Sequence, residues 1–104
     1  MRNEDFTITK DKDQGVTRFI LKGRLNSNSA PTLQYELEDA LNYGEINIVL
    51  NMAQVEYLSS NGVRVILKTY KQAEKEGGKL QIERPSENVR NVLGMAALND
   101  MLIR

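Results

Sequence analysis

The chain has 104 residues, 40% hydrophobic and 27% charged, and its 14 Lys and Arg balance 14 Asp and Glu for a formal net charge of zero. That size and balance suit one soluble globular domain over residues 1–104, with no bulk attraction to nucleic acid or an anionic membrane. Cys and His are both absent, which excludes disulfides, thiolate or imidazole metal sites and a His-activated nucleophile. No apolar run approaches the roughly 20 residues of a membrane helix, and the polar start from Met1 to Asp5 does not suit a signal peptide, so the cytoplasm is the expected compartment.

In chain order, Phe6 to Thr9 alternates apolar and polar as a half-buried strand does. Asp11 to Gly15 supplies a turn; Asp11 and Asp13 resemble the start of a calcium loop, but the later ligands are missing. Val16 to Lys22 is a second strand, rich in β-branched and aromatic residues, and should pair with the first as an antiparallel hairpin. A polar loop from Gly23 to Ala30 leads into a helix with Ser29 or Ala30 near its cap and Pro31 in its first turn. Leu33, Leu37, Ala40 and Leu41 form its apolar face, with Glu36, Glu38, Asp39 and Asn42 opposite. The helix stops at Tyr43 and Gly44. Ile46 to Leu50 is nearly continuous in aliphatic residues, the pattern of a central parallel strand covered on both faces.

The next stretch, Val55 to Gly78, organises the rest. It reads as the end of a buried strand, a short polar loop and a long amphipathic helix closed by Gly77 and Gly78. Val63, Ile66, Leu67, Tyr70 and Ala73 fall on one helical stripe. Lys79 to Ile82 is a further alternating strand, and Pro85, Ser86 and Glu87 begin a last helix with Val89, Val92, Leu93 and Ala96 on its apolar side. Leu98, Met101, Leu102 and Ile103 are expected to cover the core edge. The order is β-β-α-β-α-β-α: an α/β fold with a mixed sheet, an N-terminal antiparallel hairpin and helices packed on the sheet through right-handed crossovers.

Two loops at strand ends, Gly23 to Ala30 and Ala53 to Asn61, should share one edge of such a sheet. Their small, uncharged residues, Asn26, Ser27, Asn28, Ser29, Ser59, Ser60 and Asn61, are expected to be exposed. Ser59, Ser60 or Asn61 can serve as a helix cap. The ordinary role of such a hydroxyl is the cap; the sharper alternative is that it carries a phosphate, because unpaired amides and the helix dipole favour an anion at that end. No dense carboxylate cluster suggests a metal and no glycine-rich phosphate loop is present, so no cofactor is expected.

The run Gly23-Arg24-Leu25-Asn26-Ser27 with Ala30-Pro31, the strand Ile48 to Met52, and above all Val55-Glu56-Tyr57-Leu58-Ser59-Ser60-Asn61-Gly62-Val63-Arg64-Val65 resemble the STAS family, as do Lys79-Leu80, Pro85-Ser86, Val89-Arg90, Val92-Leu93 and Ala97-Leu98. The family includes bacterial anti-sigma factor antagonists and the cytoplasmic domains of sulfate transporters. The resemblance implies a non-enzymatic phosphoprotein of transcription regulation that works by partner switching. Unphosphorylated, it binds an anti-sigma factor that is also a serine kinase and frees the sigma factor; phosphorylation ends the binding and a metal-dependent serine phosphatase restores it. The acceptor two positions before the motif glycine, Gly62, is Ser60, with Ser59 as second choice. Asn26, Ser27, Asn28, Ser29, Tyr57, Ser59, Asn61, Gly62 and Arg64 are the implied partner contacts, and a weak homodimer is compatible with the family. Many phosphorylated members carry Asp where this chain has Ser59 and Asn26. The resemblance implies one alternative: a STAS subunit of a lipid or anion transport complex that is never phosphorylated.

Overall fold

The computed structural model describes residues 2–3, 5–96 and 98–101. A five-stranded sheet runs in chain order: β1 (Arg2–Asn3), β2 (Phe6–Asp13), β3 (Val16–Leu25), β4 (Asn47–Leu58) and β5 (Lys79–Glu83). The first three are antiparallel and β3, β4 and β5 are parallel, as the mixed-sheet expectation requires. The two-residue β1 is an addition at the edge. Between the strands lie α1 (Ala30–Asn42), α2 (Ser60–Lys75) and, after β5, α3 (Glu87–Met95), with a short 3-10 turn at Asn99–Met101.

The hairpin turn is tighter than expected. Asp13 pairs with Val16, leaving Gln14 and Gly15 as a two-residue loop with both φ angles positive, the geometry that matches the twist of the flanking strands. At the open end of the hairpin, Gly23 of β3 adopts φ +107°, and a Cβ there would run into the backbone carbonyl of Asp5. That carbonyl accepts the Arg24 N–H at 2.9 Å, so only a glycine lets the two segments meet.

Register explains the core. Phe19 of β3 aligns with Leu50 of β4, and Leu50 with Ile82 of β5, three fully buried side chains in a row across the sheet. Leu33, Leu37 and Ala40 of α1, Ile66 and Ala73 of α2, and Val89 and Leu93 of α3 close over them. Ile48, Val49 and Leu50 are all buried, as a central strand demands, but Val49 stands outside this cluster, between Arg18 and Gln81 in register. Each buried aliphatic side chain of this cluster contributes about 1.5–3 kcal/mol relative to exposure.

β4 is much longer than the aliphatic run suggested. Ala53 to Leu58, placed in a loop although Val55 onward also reads as the end of a buried strand, continues the strand, and two register shifts against β3 disguise it. Between Ile20 and Lys22 of β3 the partners advance from Asn51 to Gln54, and between Gly23 and Arg24 from Val55 to Tyr57. Each extra residue is a bulge that breaks the period of two. Buried positions are therefore Met52, Val55 and Leu58, spaced by three. The side chain of Asn51 accepts the Ala53 N–H at 3.1 Å beside the first bulge. Where β5 has ended, Ser86 donates its hydroxyl to the Val55 carbonyl at 2.7 Å and Asn88 donates to the Glu56 carbonyl at 2.7 Å. Ser86 also caps α3, accepting the Val89 N–H at 3.2 Å.

The buried side of α2 is rotated from the expected stripe. Gly62, Val65, Ile66, Thr69 and Ala73 are buried, while Val63, Leu67 and Tyr70 are half-buried on its flank. Packing against α1 as well as the sheet draws Val65 and Thr69 inward. Thr69 tolerates burial because its hydroxyl donates to the Val65 carbonyl at 2.9 Å. On α3, Ala96 is exposed as the C-cap, and the expected cover by Leu102 and Ile103 lies outside the described residues.

Candidate functional site

The last parallel pair of the sheet, Leu25 with Leu58, places both helix starts on one edge. One more bond extends the ladder: the Ser59 N–H donates to the Leu25 carbonyl at 2.9 Å. Everything beyond that bond belongs either to the loop before α1 or to the first turn of α2.

The loop before α1 is locked by its own polar groups. The Asn26 side-chain oxygen accepts the N–H groups of Asn28 at 2.9 Å and Ser29 at 3.2 Å, closing an Asx turn. The Ser29 hydroxyl donates to the Arg24 carbonyl at 2.6 Å and accepts the Asn26 N–H at 2.9 Å. Ser29 was expected among the exposed contacts; it is instead 1% exposed, because its hydroxyl is needed inside the turn. It also precedes α1 without capping it through its side chain. Ser27 and Asn28 are exposed and Asn26 is half-buried.

At α2 the two adjacent serines divide the work. Ser59 has extended backbone angles and its hydroxyl accepts the Gly62 N–H at 3.2 Å, which makes it the N-cap. Its carbonyl accepts the Val63 N–H at 3.0 Å. Ser60 is the first helical residue, is exposed, and its hydroxyl makes no hydrogen bond among the described residues. Among the described residues no side chain is bonded to it in a position to take its proton. No acidic residue stands in the first turn of α2.

Gly62 was also expected to meet a partner. It is buried, and a Cβ there would lie 2.8 Å from both Leu25 Cγ and Leu58 Cδ1. Its role is to let the start of α2 settle on the ends of β3 and β4. Asn61 is half-buried and Arg64 exposed, and they share a shallow cavity of ≈ 180 Å³ with Ser27, Ala30, Pro31, Gln34 and Val65. This hollow joins the two helix starts into one surface, as the shared edge predicted. Tyr57 is 43% exposed, and the Arg24 guanidinium stacks over its ring at 4.6 Å from the centroid. Arg24 was missed as a surface residue of this site; its signal is the bulge, which makes it the register partner of Tyr57.

Among the described residues no group of three or more Asp or Glu is arranged to hold a metal ion, and no helix is long and apolar enough to cross a membrane. The carboxyl with a clearly lowered pKa, Glu45, lies elsewhere, held by Lys10 and Lys12.

Comparison with known proteins agrees with this geometry. A family model described as STAS domain matches residues 7–104. BtrV of Bordetella bronchiseptica, provisionally named an anti-sigma factor antagonist, is 35% identical over 85 residues, 82% of this chain and 73% of the relative. The anti-sigma-B factor antagonist of Bacillus subtilis is 28% identical over 82 residues, 79% of this chain and 74% of the relative. The structure of the anti-sigma factor antagonist SpoIIAA in its unphosphorylated form has the same fold, with a TM-score of 0.84 at 19% identity over 93% of this chain and 86% of that one.

Proposed function

The chain belongs to the STAS domain family, and from that premise we propose that it is an anti-sigma factor antagonist with Ser60 as its phosphorylation switch. The unphosphorylated chain binds an anti-sigma factor that is also a serine kinase and so frees the sigma factor. Phosphorylation of Ser60 ends the binding, and a metal-dependent serine phosphatase resets it. The chain acts in the cytoplasm as substrate and binding module and not as an enzyme. Asn26, Ser27, Asn28, Tyr57, Asn61 and Arg64 surround the contact, and Ser29 and Gly62 act from beneath it.

One observation carries this reading: Ser59 takes the cap and leaves Ser60 exposed and unbonded beside the hollow shared by both helix starts. A phosphate on Ser60 would lie at the helix N-terminus, where dipole and free amides accept it. The fold therefore tolerates the modification, and its effect falls on whatever is docked, through about two negative charges. Ser59 is the poorer acceptor because its oxygen is already committed to Gly62.

The test is affinity capture from native lysate with the wild-type chain and Ser60→Asp, with mass spectrometry of what is retained. Wild type should hold a small serine kinase, and Ser60→Asp should lose it by about 100-fold or more, on the scale of about 3 kcal/mol for a charge forced into an interface. Retention of the same transport ATPase or permease by both baits would refute the switch.

A further inference from the structure

The chain is neutral overall, yet its two packed helices are not. α1 carries Glu36, Glu38 and Asp39 and no base, whereas α2 carries Arg64, Lys68, Lys71 and Lys75 against one acid, Glu74. The four cations are offset by 4, 7 and 11 residues from Arg64, which puts them on one helical face over about 16 Å at roughly 1.5 Å per residue. All four are exposed. None is paired among the described residues, where the ion pairs are Lys10 and Lys12 with Glu45 and Arg18 with Glu83. The row starts one turn beyond Ser60 on the same side of the helix.

We propose that this row is the electrostatic half of the docking surface, and that it takes a narrow acidic ridge on the anti-sigma factor. The proposal rests on the Ser60 reading above and explains the sign of the switch. An acidic ridge drawn along Arg64 to Lys75 meets a neutral hydroxyl at the N-terminal end of its track when Ser60 is free. A phosphate at that point sets about two negative charges against the ridge, so the cations that steer the partner in make its rejection sharper.

The borders of the row favour a protein over a polyanion. Glu38, across the α1–α2 hollow, and Glu76 on the same side of α2 line a cavity of ≈ 280 Å³ with Lys68 and Gln72. Glu38 and Glu76 face amides, at 3.4 Å from Gln34 and 2.8 Å from Gln72, and Glu74 is exposed. A broad sheet of phosphates would meet these carboxylates, whereas a ridge one helix wide fits between them.

The test uses the full chain and the purified anti-sigma factor of the same organism, with association rates read at about 50 mM and about 500 mM salt, where screening differs by several ångströms of Debye length. The variants are Lys68→Glu/Lys71→Glu/Lys75→Glu, its neutral Gln counterpart, and Lys22→Gln/Lys79→Gln as an exposed control off the row. At low salt the Glu variant should associate about tenfold or more slowly, the Gln variant should fall between, and the control should match wild type. The differences should shrink at high salt, and carbodiimide should join Lys68, Lys71 or Lys75 to Asp or Glu of the partner. Equal rates for all variants at both salts would overturn the row while leaving Ser60 intact. So would tighter binding of the row to mixed-sequence duplex DNA or phosphatidylglycerol vesicles than to the partner, or sedimentation showing that the row instead holds a second copy. If wild type fails to bind, or Ser60→Asp binds equally, the Ser60 reading itself fails and the proposal goes with it.

Discussion

Ser29 and Ser60 lie on the same sheet edge, one just before α1 and the other at the start of α2, in loops of nearly the same composition. Ser29 is 1% exposed and its hydroxyl bridges the Arg24 carbonyl and the Asn26 N–H, while the Ser60 hydroxyl is exposed and makes no hydrogen bond among the described residues. The difference comes from their neighbours. At α1 the chain must turn within three residues, and the turn consumes the Asn26 side-chain oxygen and the Ser29 hydroxyl. At α2 the strand runs straight into the helix, Ser59 alone satisfies the cap, and the next hydroxyl is left over.

The largest effect expected from breaking this contrast is at the buried serine. Ser29→Ala removes a hydroxyl that satisfies two backbone groups, leaving them unpaired in the interior, at a cost of about 1–3 kcal/mol. Thermal unfolding should show a fall of at least several degrees, since about 1 kcal/mol moves the midpoint of a domain this size by roughly 4–8 °C. A midpoint equal to wild type would mean that water replaces the hydroxyl and that Ser29 is not structural.

The adjacent serines sharpen the contrast at a smaller scale. Ser59→Ala should cost about 1 kcal/mol, the usual value of a lost cap, and leave the chain a kinase substrate. Ser60→Ala should leave stability unchanged and abolish phosphorylation. Thermal melts and intact mass after kinase treatment check both halves. The reverse pattern, phosphate on Ser59 and a stability loss at Ser60→Ala, would exchange the two roles.

How much of this was legible in the sequence follows from which residues obey a simple period. The hairpin, the order of elements and the apolar face of α1 were readable because Phe6 to Thr9 and Leu33 to Leu41 keep a period of two or 3.6 and Val16 to Lys22 is rich in β-branched and aromatic residues. The second half of β4 was not, because two bulges shift Met52, Val55 and Leu58 to a spacing of three. The face of α2 was misjudged by its flank, since Val63, Leu67 and Tyr70 look as apolar as the buried Val65 while Thr69 does not look buried at all. At the site, residue types located the edge and left Ser59, Ser60 and Asn61 open; the family resemblance pointed to Ser60, and neither distinguished the buried Ser29 from the exposed Ser60. That distinction depends on which backbone groups the folded turn leaves without partners, and a list of residue types does not contain it.

The smallest expected effect lies near the opposite end of β3, and it tests whether the two ends are independent. Glu45 bridges Lys10 at 2.9 Å and Lys12 at 2.9 Å, accepts the Thr17 hydroxyl at 3.3 Å, and so ties the hairpin to the segment before β4. Its pKa is lowered from the ordinary 4.5, first by the hydrogen bonds from Lys10 and Lys12. A lowered folded-state pKa means that the stabilisation is complete above the unfolded value and is lost as pH falls through the folded one. Lys12 is 62% exposed, so solvent screens the pair and its worth is under about 1 kcal/mol. Glu45→Gln should therefore flatten a small acid-side loss of stability, and amide exchange should quicken at Lys10, Lys12 and Thr17. Exchange at Ser59 and Gly62 should not change, because the bonds that set the Ser60 edge involve no titrating group. A matching change at that edge would show that the two ends open together, and the contrast between the two serines would then depend on the whole sheet and not on their own turns.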